Sequence, residues 1–321
     1  MNVVVTGAAG FLGSRVADYL LSEKSPIKVA KLVLIDSITP QTRDDKPVST
    51  FALDLTDPAA AEKVITPETN IVFHLAAVVT GHAEEDFDYG LKVNFDVTRV
   101  LVERARHVSP KIRFIFTSSL GVYGGDMPEV LDDRTATTPQ NSYGAAKAMS
   151  ELLLNDYGRR GFVDTRVVRL PTVSVRAGAP NRAVTSFVSG IIREPLNGQE
   201  AICPVDENLE SWITSPYAVV RNIVHGGALP NDVLETWRVV NLPGICVSVR
   251  DMLIALRKIA GDDVANLVRF ERDDFINNIV SSLPTRFDNA RALKMGFEVD
   301  ESIESIIRMY IKNELPRTYS R

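Results

Sequence analysis

Apolar and polar positions along the first half of the chain follow two alternating periods. Short aliphatic and β-branched runs at 3–6, 32–36, 48–53, 71–75, 112–118 and 163–170 read as strands. Between them, 11–22, 58–65, 86–107 and 142–159 carry apolar residues at helical spacing over lengths suited to covering helices. Most of the strands are almost continuously apolar, as burial on both faces of a sheet requires, and strand-helix alternation implies βαβ units around a parallel sheet. The expectation is a doubly wound α/β fold over 1–171. Beyond Pro171 the rhythm changes. Pro and Gly concentrate between Ala177 and Pro204, and helices are expected near 186–193, 216–226, 249–259 and 301–313. This part, 172–321, reads as a smaller substrate-binding region, with some of 205–245 returning to the first domain through a strand at 237–241.

Composition narrows the function. At 321 residues and 45% hydrophobic the chain can bury a large core, and its net charge of -5 supplies no basic face for nucleic acid. A small-molecule partner is expected. Cys203 and Cys246 are too few for a disulfide framework and read as buried small hydrophobes. No apolar run approaches about 18 residues, so no membrane partner is expected. With a strand read at 3–6 no signal peptide is expected, and a cytoplasmic location is the expectation. The four histidines show no paired ligand spacing, and no metal is expected.

The first strand runs into Gly7-Ala8-Ala9-Gly10-Phe11-Leu12-Gly13, which opens the first helix. Glycines there let the backbone turn sharply and approach a pyrophosphate, while the helix N-terminus favours the anion without a basic side chain. Asp36 ends the second strand, where a carboxylate accepts the adenosine ribose hydroxyls and repels a 2′-phosphate. No Arg or Lys follows it directly, so NAD is favoured over NADP, with Arg43 the nearest residue that would weaken that preference. Asp54-Leu55, after the third strand, sits within reach of adenine, although an aspartate there also suits a helix cap.

The full set of motifs resembles the extended short-chain dehydrogenase/reductases, the superfamily of NAD-dependent epimerases, dehydratases and some dehydrogenases, over nearly the whole length. They stand as Gly7-x-x-Gly10-x-x-Gly13, Asp54-Leu55, His74-Leu75-Ala76-Ala77, Asn94, Thr117-Ser118-Ser119 leading to Val122-Tyr123-Gly124, and Tyr143-Gly144-Ala145-Ala146-Lys147. The resemblance implies a Rossmann fold with Ser119, Tyr143 and Lys147 catalytic. It also implies that Leu75, Ala76, Ala77, Asn94, Ser118, Tyr143, Lys147 and Pro171 line the cofactor beside Gly7, Gly10, Phe11, Leu12, Gly13 and Asp36. The residues' own chemistry agrees. Tyr143 and Lys147 lie four apart in a helical segment and share a face. A free tyrosine titrates near ~10, too high for a base at neutral pH, and adjacent positive charge lowers that value. Tyr123 and Tyr157 lack a lysine four residues on.

The superfamily hosts several reactions on this set, so the substrate must be read from the second half. Sugar-nucleotide enzymes of the superfamily usually carry an Arg-Asp-aromatic segment for the diphosphate. Here it reads Glu210-Ser211-Trp212-Ile213-Thr214-Ser215-Pro216, without the arginine. The stretches 169–176, 180–183 and 186–196 most resemble sugar-acid dehydrogenases of the superfamily. That implies NAD-dependent oxidation of a four-carbon sugar acid, beside its carboxylate, to the 2-oxo acid. Arg176 or Arg182 would hold the carboxylate, though each also fits a solvated loop charge. Thr80, Thr172, Ser186 and Trp212, with Ser119 and Tyr143, complete the substrate candidates. The alternatives are a nucleotide-sugar 4-epimerase or dehydratase with bound NAD, and a non-catalytic NAD sensor. The helical segments 86–107 and 142–159 resemble those that pair across a two-fold axis in this superfamily, so a homodimer is expected.

Overall fold

The computed structural model describes residues 1–43, 47–178 and 183–315. They form two compact units. The first comprises Met1–Val122, Thr137–Leu170 and Val220–Leu242; the second comprises Tyr123–Ala136, Pro171–Val219 and the chain from Pro243 onward.

The first unit is built on a seven-stranded sheet. Its strands are β1 (Asn2–Thr6), β2 (Lys31–Asp36), β3 (Val48–Ala52), β4 (Ile71–His74), β5 (Arg113–Ser119) and β6 (Asp164–Leu170), with Val239–Asn241 outside β6. All pairs are parallel, in the spatial order Val239–Asn241, β6, β5, β4, β1, β2, β3. The chain thus winds one way from β1 to β3, returns, and winds the other way from β4, which is the doubly wound Rossmann arrangement. The strand at 239–241 does rejoin this sheet, as the sequence suggested.

Burial explains both the agreement and the exceptions. β4 is buried throughout, and Val3, Val5, Phe114, Ile115 and Phe116 are wholly inaccessible, which is why these runs carry no polar alternation. β3 is an edge strand with half-buried and exposed residues, consistent with its mixed composition. The helices are α1 (Phe11–Leu21), α2 (Ala60–Val64), α3 (Thr80–Glu85), α4 (Phe87–Leu91), α5 (Val97–Val108) and α6 (Ser142–Arg159). The single helix expected over 86–107 is interrupted: a π turn, Lys92–Asp96, separates α4 from α5. An extra residue per turn leaves no mark on apolar periodicity, and such turns often mark functional sites.

The second unit holds a three-stranded sheet in which Glu210–Thr214 lies between Ile245–Ser248 and Thr172–Val173. Its core joins Val188, Ile191 and Ile192 of the helix Phe187–Leu196 to Met252 and Leu256 of Val249–Ala260 and to Ile306 and Ile307 of Ile303–Asn313. Ser248 and Ser302 cap the last two helices with reciprocal side-chain bonds. The short strands of this unit have too little alternation to be read from sequence. Among the described residues no helix is long and apolar enough to cross a membrane.

One polar joint sits inside the first unit's core. The His74 ring is fully buried, its Nδ1 2.7 Å from Thr6 Oγ1 on β1 and its Nε2 3.1 Å from Thr98 Oγ1 on α5. Burial, and secondarily the Lys147 charge, pull its pKa from 6.5 to about 3. The folded chain therefore holds His74 neutral where the unfolded chain would protonate it, so its contribution is complete above pH 6.5 and lost as pH falls towards 3. Between pH 6.5 and about 5 we expect urea unfolding to show a stability loss steeper by up to roughly 1.4 kcal/mol per pH unit than in a His74→Gln variant, whose amide does not titrate. Parallel slopes in the two proteins would show that His74 does not titrate on unfolding.

Candidate active site

The turn between β1 and α1 lies at the point where the sheet's winding reverses, at the carboxyl ends of the strands. Gly7 has φ +71, and a Cβ there would lie 2.7 Å from the amide nitrogen of Ala76. Gly13 packs closer still, its Cβ position 2.0 Å from the Gly7 carbonyl oxygen. No side chain caps α1 at Gly10, so its first-turn amides keep their capacity for an anion. A cleft of about 370 Å³ opens beside this turn. Of the residues singled out from sequence, Gly7, Gly10, Asp36, Asp54, Leu55, Leu75, Ala76 and Ala77 line it.

Asp36 accepts the Ala9 amide on Oδ2 at 3.0 Å and the Ser37 amide on Oδ1 at 2.7 Å, which aims the carboxylate while leaving acceptor capacity on Oδ2. Asp54 Oδ1 accepts the Thr56 amide at 2.9 Å, and hydrogen bonds from Thr56 hold its carboxyl below the usual range. Arg43 is engaged elsewhere, bridged to Asp18 at 2.6 Å and donating to Ser14 O at 3.1 Å. An uncapped helix start, a glycine floor and the Asp36 carboxylate at the end of β2 fit a dinucleotide lacking a 2′-phosphate. Sequence reading missed Ser37, Ile38 and Leu53 at the ends of β2 and β3, and Val78, Tyr89 and Val93 further round the cleft. Ser37, Ile38 and Leu53 were signalled by position just past a strand end, whereas Tyr89 and Val93, in α4 and the π turn that follows it, carried no such signal.

Several expected cofactor residues do not line this cleft. Phe11 and Leu12 sit half-buried in the first turn of α1, Phe11 beneath the Arg15 guanidinium at 4.0 Å. Asn94, in the π turn, clamps Val78 instead: its Oδ1 accepts the Val78 amide at 3.0 Å and its Nδ2 donates to the Val78 carbonyl at 3.1 Å. Asn94 thereby fixes a cleft wall from behind. The Ser118 hydroxyl turns inward to Glu151 Oε1 at 2.5 Å.

Ser119, Tyr143 and Lys147 are brought together. Ser119 ends β5, and its Oγ accepts the Gly121 amide at 3.1 Å in the 3-10 turn that follows. Asn141 caps α6, its Oδ1 taking the Gly144 amide at 2.8 Å, and so sets Tyr143 and Lys147 in the first turns. α6 can approach that closely because residue 144 is glycine; a Cβ there would lie 1.9 Å from the Gly121 carbonyl oxygen. Tyr143 is half-buried. Removal from water pushes its hydroxyl up to about 12, while a hydrogen bond shared with Ser119 pulls the other way. Lys147 is buried and donates to Thr117 O at 3.0 Å, with its Nζ 4.4 Å from the Phe116 ring centre and 5.7 Å from that of Tyr143. Burial brings its pKa down to about 7, with the Glu151 charge acting upward. Tyr123 and Tyr157 lie elsewhere: the first packs at a tilt against Phe287 in the second unit, with ring centres 5.7 Å apart, and the second donates to Glu103 at 2.6 Å.

The substrate candidates lie in both units. In the first, Thr80 starts α3. In the second, Thr172 pairs with Ile213, next to the buried Pro171 expected to line the cofactor. Arg176 follows Val175, which is held at φ +54, a costly conformation for a β-branched residue. Its guanidinium reaches Ser186 Oγ at 3.5 Å, and Arg193 donates to its carbonyl at 3.0 Å. Burial, and then the Arg193 charge, lower its pKa. Trp212 packs on Phe287 with ring centres 5.3 Å apart, its Nε1 buried without a hydrogen-bond partner among the described residues. Arg182 lies outside the described residues, as do Pro180 and Asn181.

Comparison with known proteins places this geometry in a family. Residues 3–213 match the model of the NAD dependent epimerase/dehydratase family. The chain is 47% identical over 316 residues to a D-erythronate dehydrogenase of Haemophilus influenzae, covering 98% of this chain and 100% of the relative. It is 48% identical over 319 residues to a D-erythronate dehydrogenase of Cupriavidus necator, covering 98% of both. A crystal structure described as a nucleoside-diphosphate-sugar epimerase from Agrobacterium tumefaciens superposes with a TM-score of 0.94 at 38% identity, over 98% of this chain and 95% of that one. With a family model spanning well over half its length and two relatives matched almost end to end, the chain belongs to the NAD-dependent epimerase/dehydratase family.

Proposed function

We propose that the protein is an NAD-dependent dehydrogenase that oxidises D-erythronate at the carbinol carbon beside its carboxylate, giving 2-oxo-D-erythronate. What carries the reading is the assembled set of Ser119, Tyr143 and Lys147 on β5 and α6. It is supported by near-complete coverage of two relatives named for that activity. NAD, when bound, supplies the hydride acceptor.

Gly7, Gly10, Phe11, Leu12 and Gly13 would seat the pyrophosphate, and Asp36 the adenosine ribose. Asp54, Leu55, Leu75, Ala76, Ala77, Asn94, Ser118 and Pro171 would complete the cofactor's surroundings, Asn94 and Ser118 by positioning rather than contact. Ser119 holds the substrate hydroxyl oxygen. Tyr143 takes that hydroxyl's proton as the C–H bond breaks. Alone, a tyrosine pushed up to about 12 holds its proton too firmly. The Lys147 ammonium stabilises the phenolate and brings proton transfer into range near neutrality. The substrate carboxylate calls for a cation, a part we assign to Arg176 or Arg182, with Thr80, Thr172, Ser186 and Trp212 as further contacts. We further propose a homodimer.

A second reading, a nucleotide-sugar 4-epimerase or dehydratase retaining its NAD, is favoured by the description of the Agrobacterium structure. The absence of arginine from the 210–216 segment weighs against it.

Two measurements test the proposal. Purified protein incubated with NAD and D-erythronate should accumulate NADH, seen as rising near-ultraviolet absorbance; a silent assay alongside interconversion of UDP-sugars would establish the second reading instead. The Tyr143→Phe variant should lose roughly 10²- to 10⁴-fold in kcat with little change in NAD affinity by titration. Retained turnover would place the base on another residue.

A further inference from the structure

Two buried charges lie behind the catalytic set and take no part in the chemistry described so far. Glu151 stands four residues beyond Lys147 on α6, hence on the same helical face, and is 2% exposed. Arg169, on β6, is 1% exposed. Such groups inside a Rossmann core are costly unless paired. Arg169 grips the carboxylate through both forks: Nε lies 2.9 Å from Oε1 and 3.1 Å from Oε2, and Nη2 lies 2.6 Å from Oε2. Ser118, the β5 residue in register with Arg169, donates its hydroxyl to Oε1 at 2.5 Å.

The pattern extends across the helix. Three consecutive residues of β5 meet three residues of α6 spaced four apart: Ser119 meets Tyr143, Thr117 O meets Lys147, and Ser118 meets Glu151. We propose that Glu151 is the positioning residue of the catalytic set, held by Arg169 and Ser118 so that its charge keeps the Lys147 side chain an ammonium and its bonds keep α6 in register with β5.

The surroundings of Lys147 make this necessary. Its neighbours from β5 are a neutral carbonyl, Thr117 O, and the Phe116 ring; from β4 comes His74, neutral by burial; from α6 come Tyr143 and Glu151. Of these neighbours among the described residues, Glu151 offers Lys147 a counter-charge in the resting fold. With the carboxylate neutralised, two cations, Lys147 and Arg169, would share a buried neighbourhood without it, and the lysine, which burial brings to about 7 even with the Glu151 charge in place, would be the one to shed its proton. Arginine does not deprotonate in proteins.

The inference rests on the role given to Lys147 above, but its test does not depend on the substrate. Lys147 can be followed by the 13Cε shift of labelled lysine, assigned by its absence in Lys147→Arg, in the cofactor-free protein and with NAD bound. Glu151→Gln keeps the shape but removes the charge and turns one acceptor oxygen into a donor amide; Glu151→Asp keeps the charge and both acceptors. We expect the Lys147 midpoint to fall by roughly one pH unit or more in Glu151→Gln and to stay near the native value in Glu151→Asp. kcat should fall at least about tenfold in the first variant, with KM for NAD little changed, and recover substantially in the second. An unmoved midpoint in Glu151→Gln would overturn the proposal even if activity were lost, because that pattern belongs to a purely structural bridge. Should Glu151→Gln fail to fold, Ser118→Ala carries the test: it frees one carboxylate oxygen and should shift the midpoint upward, and no shift would count equally against the proposal. A silent D-erythronate assay with the expected lysine shifts would reject the substrate and leave this inference standing.

Discussion

The packing of α6 on β5 is the constraint on which the site depends. A helix repeats a face about every four residues while a strand advances one residue at a time, so the two can be joined at several rungs only in one register. Here the rungs are Tyr143, Lys147 and Glu151 against Ser119, Thr117 and Ser118. Gly144 permits the close approach, since any side chain there would strike the Gly121 backbone. A shift of one residue along the strand would separate the phenol from Ser119 and the ammonium from its carbonyl partner together.

The electrostatics follow from the same burial. Burial raises Tyr143 and lowers Lys147, so that even with the Glu151 charge acting upward the lysine sits at about 7 beside a neutral phenol. Glu151 keeps the lysine from falling further, and the positive charge of oxidised nicotinamide adds to that of the ammonium in bringing proton transfer towards neutrality. His74, also buried, is kept neutral between two threonine hydroxyls and adds no competing charge. The dinucleotide cleft, by contrast, is shaped mainly by backbone: a positive-φ glycine, an uncapped helix start and one oriented carboxylate at Asp36.

Sequence made the parallel sheet legible because its inner strands have no solvent face, and it made the placement of Gly7 and Asp36 at strand ends, and of Tyr143 and Lys147 in the first turns of α6, legible from residue type and spacing. It concealed the π turn at Lys92–Asp96, whose extra residue is invisible to periodicity, and with it the bonding of Asn94 to Val78. Nor did it show that of the two adjacent serines one, Ser118, turns its hydroxyl into the core. The missed signal was Arg169, an arginine inside an apolar strand, which required a buried anion nearby. The sheet of the second unit stayed hidden because its short strands pair residues far apart in the chain.

A crystal structure of the protein with NAD and D-erythronate tests the central claim most directly. The expected result has the Tyr143 hydroxyl and Ser119 Oγ both within hydrogen-bond reach of the substrate's C2 oxygen, with Lys147 Nζ bonded to the nicotinamide ribose. A Tyr143 hydroxyl turned away from that oxygen, or a lysine unable to reach the ribose, would contradict it.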